Sequence, residues 1–122
     1  MRLKILTQDF SICRLSSPPR IRDGAQFVFV GVTDEEYSLV CPTNDVPEEV
    51  LAHDDGWRAF RIEGVLDFSL VGILACLSGI LAARGIGIFA VSTFNTDYIL
   101  TKEESFPAAL AALSEAGYEI AE

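Results

Sequence analysis

The 122-residue chain has one histidine, three cysteines and half as many basic as acidic side chains, and each shortage removes a class of function. Nine Lys and Arg against 18 Asp and Glu give a net charge of −9. Such a surface repels phosphate backbones and anionic lipid, which excludes sequence-independent binding to nucleic acid or to a membrane surface unless a basic patch is concentrated locally. None is: the cations near the N-terminus (Arg2, Lys4, Arg14, Arg20, Arg22) are interleaved with Asp9 and Asp23. The acidity is global, −4 over residues 1–58 and −5 over 59–122, and reads first as a device for solubility. A structural zinc site needs four ligands, so it would have to use Cys13, Cys41, Cys76 and His53 together with no CxxC pair among them; the expectation is no metal and three reduced core thiols. The longest uncharged run, Phe68 to Ala83, is sixteen residues, short of the roughly twenty that a membrane span needs. Nor does the short apolar stretch after Met1 make a secretory signal, because Gln8 and Asp9 interrupt it; the expected location is the cytoplasm.

Catalytic constellations are equally scarce. Gly85-Ile86-Gly87 is the nearest approach to a dinucleotide loop, but it follows a helical pattern and opens a strand, the reverse of the order that aims backbone amides at a phosphate. His53 beside Asp54-Asp55-Gly56 reads as a solvated loop histidine at a turn, and Cys76 has no charged neighbour at helical spacing to activate it. No catalytic residue and no cofactor are expected, and an enzyme acting through His53 or a cysteine is the weakest of the functional readings.

What is present is half apolar residues at ordinary charge density, enough to fold one domain or two very small ones. The second half alternates strand and helix periodicity. Ala59–Glu63 places Phe60 and Ile62 on one face of a strand, and Ser69–Arg84 carries apolar residues at helical spacing with Ser69 as N-cap and Gly85 as C′ residue. Small residues (Gly72, Ala75, Gly79, Ala82, Ala83) stripe that helix. Ile86–Ser92 and Asp97–Thr101 read as a hairpin across Thr93-Phe94-Asn95-Thr96. Ser105 caps a second helix with Pro107 in its first turn and Gly117 at its end, and Tyr118–Ala121 closes the pattern. The order is βαββαβ: an α+β, ferredoxin-like antiparallel sheet covered on one face by two helices. The first half is strand-rich, with segments at Leu3–Leu6, Ser11–Leu15, Gln26–Val32 and Tyr37–Cys41, an acidic turn at Thr33–Glu36 and a short helix expected at Pro47–Ala52. About 58 residues with so little helix are marginal alone, which, with the small-residue stripe, motivates the expectation of a homodimer.

Polar chemistry gathers just outside strand ends in two loops, Gly64–Ser69 and Ser92–Asp97. A free amino acid needs an anion for its ammonium and amide donors for its carboxylate; the helix start at Ser69, Leu70 and Val71 offers the donors and Asp67 or Asp97 the anion. On periodicity alone the plainer reading is that Asp67 caps the helix and Asp97 orders the turn.

These two loops, Phe60-Arg61-Ile62-Glu63-Gly64-Val65-Leu66-Asp67-Phe68-Ser69-Leu70-Val71-Gly72-Ile73-Leu74 and Ile88-Phe89-Ala90-Val91-Ser92-Thr93-Phe94-Asn95-Thr96-Asp97-Tyr98-Ile99-Leu100, resemble ACT domains of the type found in the CASTOR arginine sensors and in small bacterial relatives of aspartate kinase regulatory domains. The resemblance covers residues 59–122 and extends loosely to Phe10–Leu15 and Tyr37–Cys41. It implies tandem units, a degenerate one in 1–58 and an ACT domain in 59–122. It further implies a regulatory sensor that binds an amino acid at an inter-domain or dimer interface. The implied contacts are Asp67, Phe68, Ser69, Leu70 and Val71, Gly87 and Ile88 before the second strand, and Thr93, Phe94 and Asp97 at the hairpin. In one domain of the arginine sensors the position of Leu70 is acidic; an apolar residue there points to a smaller or less basic ligand. The alternative reading is a ligand-free module that dimerises or docks a protein partner.

Overall fold

A computed structural model of the protein describes residues 1–64 and 72–122. Its elements are β1 (Arg2–Leu15), β2 (Phe29–Val32), β3 (Tyr37–Pro42), β4 (Ala52–Ile62), α1 (Ile73–Ala83), β5 (Phe89–Ser92), β6 (Asp97–Lys102), α2 (Phe106–Glu115) and β7 (Glu119–Ala121), with 3-10 turns at Thr43–Asp45 and Glu103–Ser105. They divide into two compact units, one of residues 1–7 and 58–122, the other of residues 8–57. Strands β1 and β4 each contribute residues to both.

In the first unit the strands run in the order β7-β1-β4-β6-β5. The elements from β4 onward follow the βαββαβ order, and the start of β1 takes the place between β4 and β7: Arg2, Leu3 and Lys4 pair in parallel with Glu119, Ile120 and Ala121. The alternation expected around residue 60 is present, with Phe60 and Ile62 fully buried. They join Leu3, Leu77, Leu81, Ile99, Phe106, Ala109 and Leu113 in one core that α1 and α2 cover. The Phe60 and Phe106 rings lie 6.4 Å apart, and the Arg58 guanidinium sits 4.9 Å above the Phe106 ring while donating to the Leu6 carbonyl. Both helices end as their glycines require. Gly85 and Gly117 adopt φ of +71° and +102°, and the Ile86 and Tyr118 amides close six-residue loops onto Leu81 and Leu113. The start of α1 differs from expectation: its first helical residue is Ile73, preceded by Gly72 at φ +79°. Ser69, the expected cap, lies outside the described residues. The stripe of small residues on α1 is solvent-exposed.

In the second unit the order is β2-β3-β1-β4, which is the order of β5-β6-β4 and its flanking strand in the first unit, with loops where helices would be. The likeness extends to detail. β2, β3 and the turn at Thr43–Asp45 match β5, β6 and the turn at Glu103–Ser105 residue for residue at an offset of 60, with the same alternation of burial in both hairpins. Thr33 and Thr93 play one part in the two turns: each donates its amide to the carbonyl three residues on, at 3.0 and 2.9 Å.

Several expectations for this unit need correction. Residues 47–51 form no helix, and His53-Asp54-Asp55-Gly56 is no loop but the first part of β4. The side chains that favour a turn are engaged otherwise: the buried Ser11 hydroxyl donates to Asp55 Oδ1 at 2.6 Å, and His53 Nδ1 lies 3.0 Å from the same oxygen. Since Ser11 has one proton, Thr43 donates in the 2.9 Å contact between the two hydroxyls. Gly56, at φ +81°, supplies the kink that a strand through this sequence needs. Strand β2 starts at Phe29 rather than Gln26 because Phe27 takes φ +59°, its ring edge-on to Phe10 at 6.5 Å. The cysteines split: Cys13 and Cys41 are buried, whereas Cys76 is exposed on α1, so only two are core thiols.

Candidate functional site

The hairpin between β5 and β6 is held by its own hydroxyls. Ser92 and Asp97 form the last pair of the ladder, and the Ser92 hydroxyl donates to Asp97 Oδ1 at 2.6 Å. Inside them, both the amide and the hydroxyl of Thr93 donate to the Thr96 carbonyl, at 2.9 and 3.0 Å. Thr93 and Asp97 therefore both order the turn, Asp97 by closing its ends through Ser92. Thr96, a buried residue at 7% exposure, then ties the hairpin to its neighbour: its hydroxyl donates to the carbonyl of Ile62 at 2.7 Å. Ile62 is the last residue of β4, so the hairpin tip stands at the edge of the sheet from which the chain leaves toward α1.

This arrangement presents three kinds of surface together. Phe94, at the tip, is 78% exposed, a large apolar side chain on the outside of a domain with a well-filled core. Thr93 and Asn95 flank it in solvent, and Asp97 stands half-buried at the start of β6. One carboxylate oxygen of Asp97 takes the Ser92 proton, which orients the group at the ladder's end. No described side chain caps the start of α1, whose first amides keep the donor capacity expected of a helix start. The hairpin thus offers an anion, exposed hydroxyls and an apolar ring on one surface.

Of the residues expected to contact a ligand, Thr93, Phe94 and Asp97 are brought together by the hairpin. Gly87 and Ile88 are not brought to them: they precede β5, whose four residues span about 13 Å, and the hairpin follows it. Asp67, Phe68, Ser69, Leu70 and Val71 lie outside the described residues. Sequence reasoning did not single out Ser92 and Thr96, whose hydroxyls hold the hairpin through Asp97 and the Ile62 carbonyl. The signal was there in hydroxyls at both ends of a four-residue turn, and again in the Phe-x-x-x-Thr spacing that recurs at Phe29–Thr33 and Phe89–Thr93.

Elsewhere the chemistry is sparse. Among the described residues, no group of three or more His, Cys, Asp and Glu side chains is placed to hold a metal ion, and no helix is long and apolar enough to cross a membrane. His53 is 49% exposed and paired with Asp55. Burial, more than the charge of Asp55, raises the Cys13 thiol; burial, with neighbouring Cys13 and Asp45, pushes Cys41 up to about 12, so both are uncharged near neutrality.

Comparison with known proteins agrees with this fold. A protein from Agobacterium tumefaciens of known structure is 36% identical, with a TM-score of 0.85 over 98% of this chain and 90% of its own. A Vibrio cholerae protein of unknown function is 20% identical (TM-score 0.66; 93% and 88% covered), and the regulatory subunit of aspartate kinase from Thermus thermophilus, crystallised without ligand, is 14% identical (TM-score 0.64; 96% and 98%). These two share the fold. No curated protein matches the sequence. The family model described as the ACT domain matches residues 52–115, just over half the chain. With the hairpin site on a βαββαβ order, this match establishes that the chain belongs to the ACT domain family.

Proposed function

We propose that the protein is a cytoplasmic, non-catalytic regulatory sensor that binds an amino acid at a surface shared by two copies of the chain. ACT domains are commonly regulatory modules that bind small molecules and often dimerise. The observation that carries the reading here is the Thr96–Ile62 bond, which holds the Thr93–Asp97 hairpin against the end of β4. Asp97 takes the ligand's ammonium, amides at the start of α1 take its carboxylate, and Phe94 covers its side chain. The residues Asp67 to Val71 belong to this site in the proposal. Gly87 and Ile88, at the far end of β5, join it only from a second copy, which makes the ligand a bridge. A bridging ligand favours the docked pair by its differential affinity for that state, and that is the regulatory output.

The tandem reading belongs to the same proposal: a degenerate ACT-like unit within residues 1–58 and a full one in 59–122, supported by the shared strand order and the 60-residue offset between the two hairpins. The exposure of Phe94 favours one competing reading, a protein-interaction module without a ligand.

Thermal unfolding in the presence of each common amino acid at millimolar concentration separates the two. A ligand at a hundred times its Kd stabilises by roughly 2.7 kcal/mol, a shift of several degrees. Asp97→Ala is expected to abolish that shift while leaving the fold intact. A variant that responds like the wild type would remove Asp97 from the site, and the absence of a shift with every amino acid would favour the interaction module.

A further inference from the structure

The geometry points to a second small-molecule site, inside the 8–57 unit and independent of the hairpin: a cavity that takes a compact carboxylate with an apolar body. In the first unit, the sheet face bearing Ile99 is covered by α1 and α2. The corresponding residue of the second unit is Leu39, which clusters with Cys13, Leu15 and Cys41. Here the connection from β1 to β2 (residues 16–28) is half as long as that from β4 to β5 (residues 63–88), and it contains no helix. The layer above Leu39 is therefore incompletely filled. A half-open pocket of about 280 Å³ remains, lined on its apolar side by Val28, Leu39, Cys41 and Val46 with the exposed Ile21 at its rim.

Its size and charge define the occupant. An apolar cavity of roughly 150 Å³ is enough to take up benzene. This pocket, nearly twice as large but open on one side, has room for a body of that size with its head group at the mouth, and falls just under the range of drug-sized pockets. Two arginines line it. Arg22 is neutralised by Asp45 through contacts of 2.8 and 3.3 Å. Arg20, exposed at the pocket's mouth, has no hydrogen bond or ion pair among the described residues, in a chain of net charge −9. A guanidinium at the edge of an apolar cavity is matched by a carboxylate, which it binds in bidentate fashion. The loop that carries it is held in place: Pro18 and Pro19 restrict its start, Arg22 is clamped to Asp45, and Ala25 closes a turn onto the Arg22 carbonyl. Cys41 stays uncharged, and the one carboxylate that lines the pocket, Asp45, is paired with Arg22, so Arg20 is left as the unpaired charge of the lining.

The test uses 3-methylbutanoate and benzoate as probes in calorimetric titration of the whole protein, with 3-methylbutanamide and acetate as controls. Both acids are expected to bind saturably; acetate, lacking the apolar body, is not. Arg20→Gln should weaken the two acids about tenfold and leave the amide unchanged, since a hydrogen-bonded charge pair is lost. Val46→Phe should fill the cavity and abolish binding, with the thermal melt confirming that the variant folds. Asp97→Ala should bind both acids like the wild type, which separates a failure here from a failure of the hairpin site. No saturable binding below roughly 10 mM would overturn the proposal, as would equal affinities in the wild type and Arg20→Gln. Loss of binding in Asp97→Ala alone would place the probes at the hairpin and overturn it too.

Discussion

At the scale of single residues, the proposed site rests on the Thr96 hydroxyl that ties the hairpin to β4. Thr96 satisfies the buried Ile62 carbonyl. Thr96→Val keeps the shape and removes the donor, leaving that carbonyl unpaired, at a cost of about 1–3 kcal/mol. The melting temperature is expected to fall by several degrees, whereas Thr93→Val, at an exposed position, should fall less. Cys41 gives a second residue-scale prediction. Its ordinary thiol value is 9.0 and burial pushes it up to about 12 in the folded protein. The fold thus favours the protonated form. That contribution is whole below pH 9, shrinks as the unfolded chain ionises, and is lost as pH rises through 12. Urea unfolding at about pH 8 and about pH 10.5 should show the wild type losing more stability across that interval than Cys41→Val. An equal loss in both would remove Cys41 from the alkaline transition.

At the scale of elements, the helix ends show how much local chemistry decides. Gly85 sits at φ +71°, where a side chain costs about 1–2 kcal/mol, while Gly79, inside α1 with open space at its missing Cβ, costs the helix about 0.5–1 kcal/mol relative to alanine. Gly85→Ala should therefore destabilise and Gly79→Ala stabilise, opposite shifts in chemical denaturation from one substitution. Both glycines could be placed from the sequence, as could the burial of Phe60 and Ile62, the β5–β6 hairpin and the stop at Gly117, since each depends on neighbours within a few residues. What escaped was decided by distant partners. His53–Gly56 has turn propensity and becomes strand because Ser11, forty-four residues away, takes up Asp55. The start of β1 enters the sheet between β4 and β7, and no periodicity within Arg2–Lys4 announces it. Of the site, the hairpin was legible through Ser92 to Asp97, but the separation of Gly87 and Ile88 from it was not, because spacing in sequence does not say which end of a strand a ligand visits.

At the scale of the whole molecule, the chain uses one hairpin design twice and treats the surrounding layers differently. The first unit covers its sheet with two helices and presents Phe94 and Asp97 at the rim; the second replaces helices with held loops and keeps a cavity. Hydroxyl-bearing turns at Thr33 and Thr93 recur, but the tip beside Thr33 is acidic where that beside Thr93 carries a phenylalanine, so the two hairpins are not interchangeable in chemistry. A regulatory role for the first depends on a ligand that joins two copies. The decisive measurement is an amide NMR titration with the amino acid that gives the largest melting shift, paired with the rotational correlation time. Saturable shifts at Thr93, Phe94 and Asp97 together with Gly87 and Ile88, and a correlation time of a dimer in the bound state, are the predicted result. Shifts confined to one end of β5 in a protein that stays monomeric would contradict it.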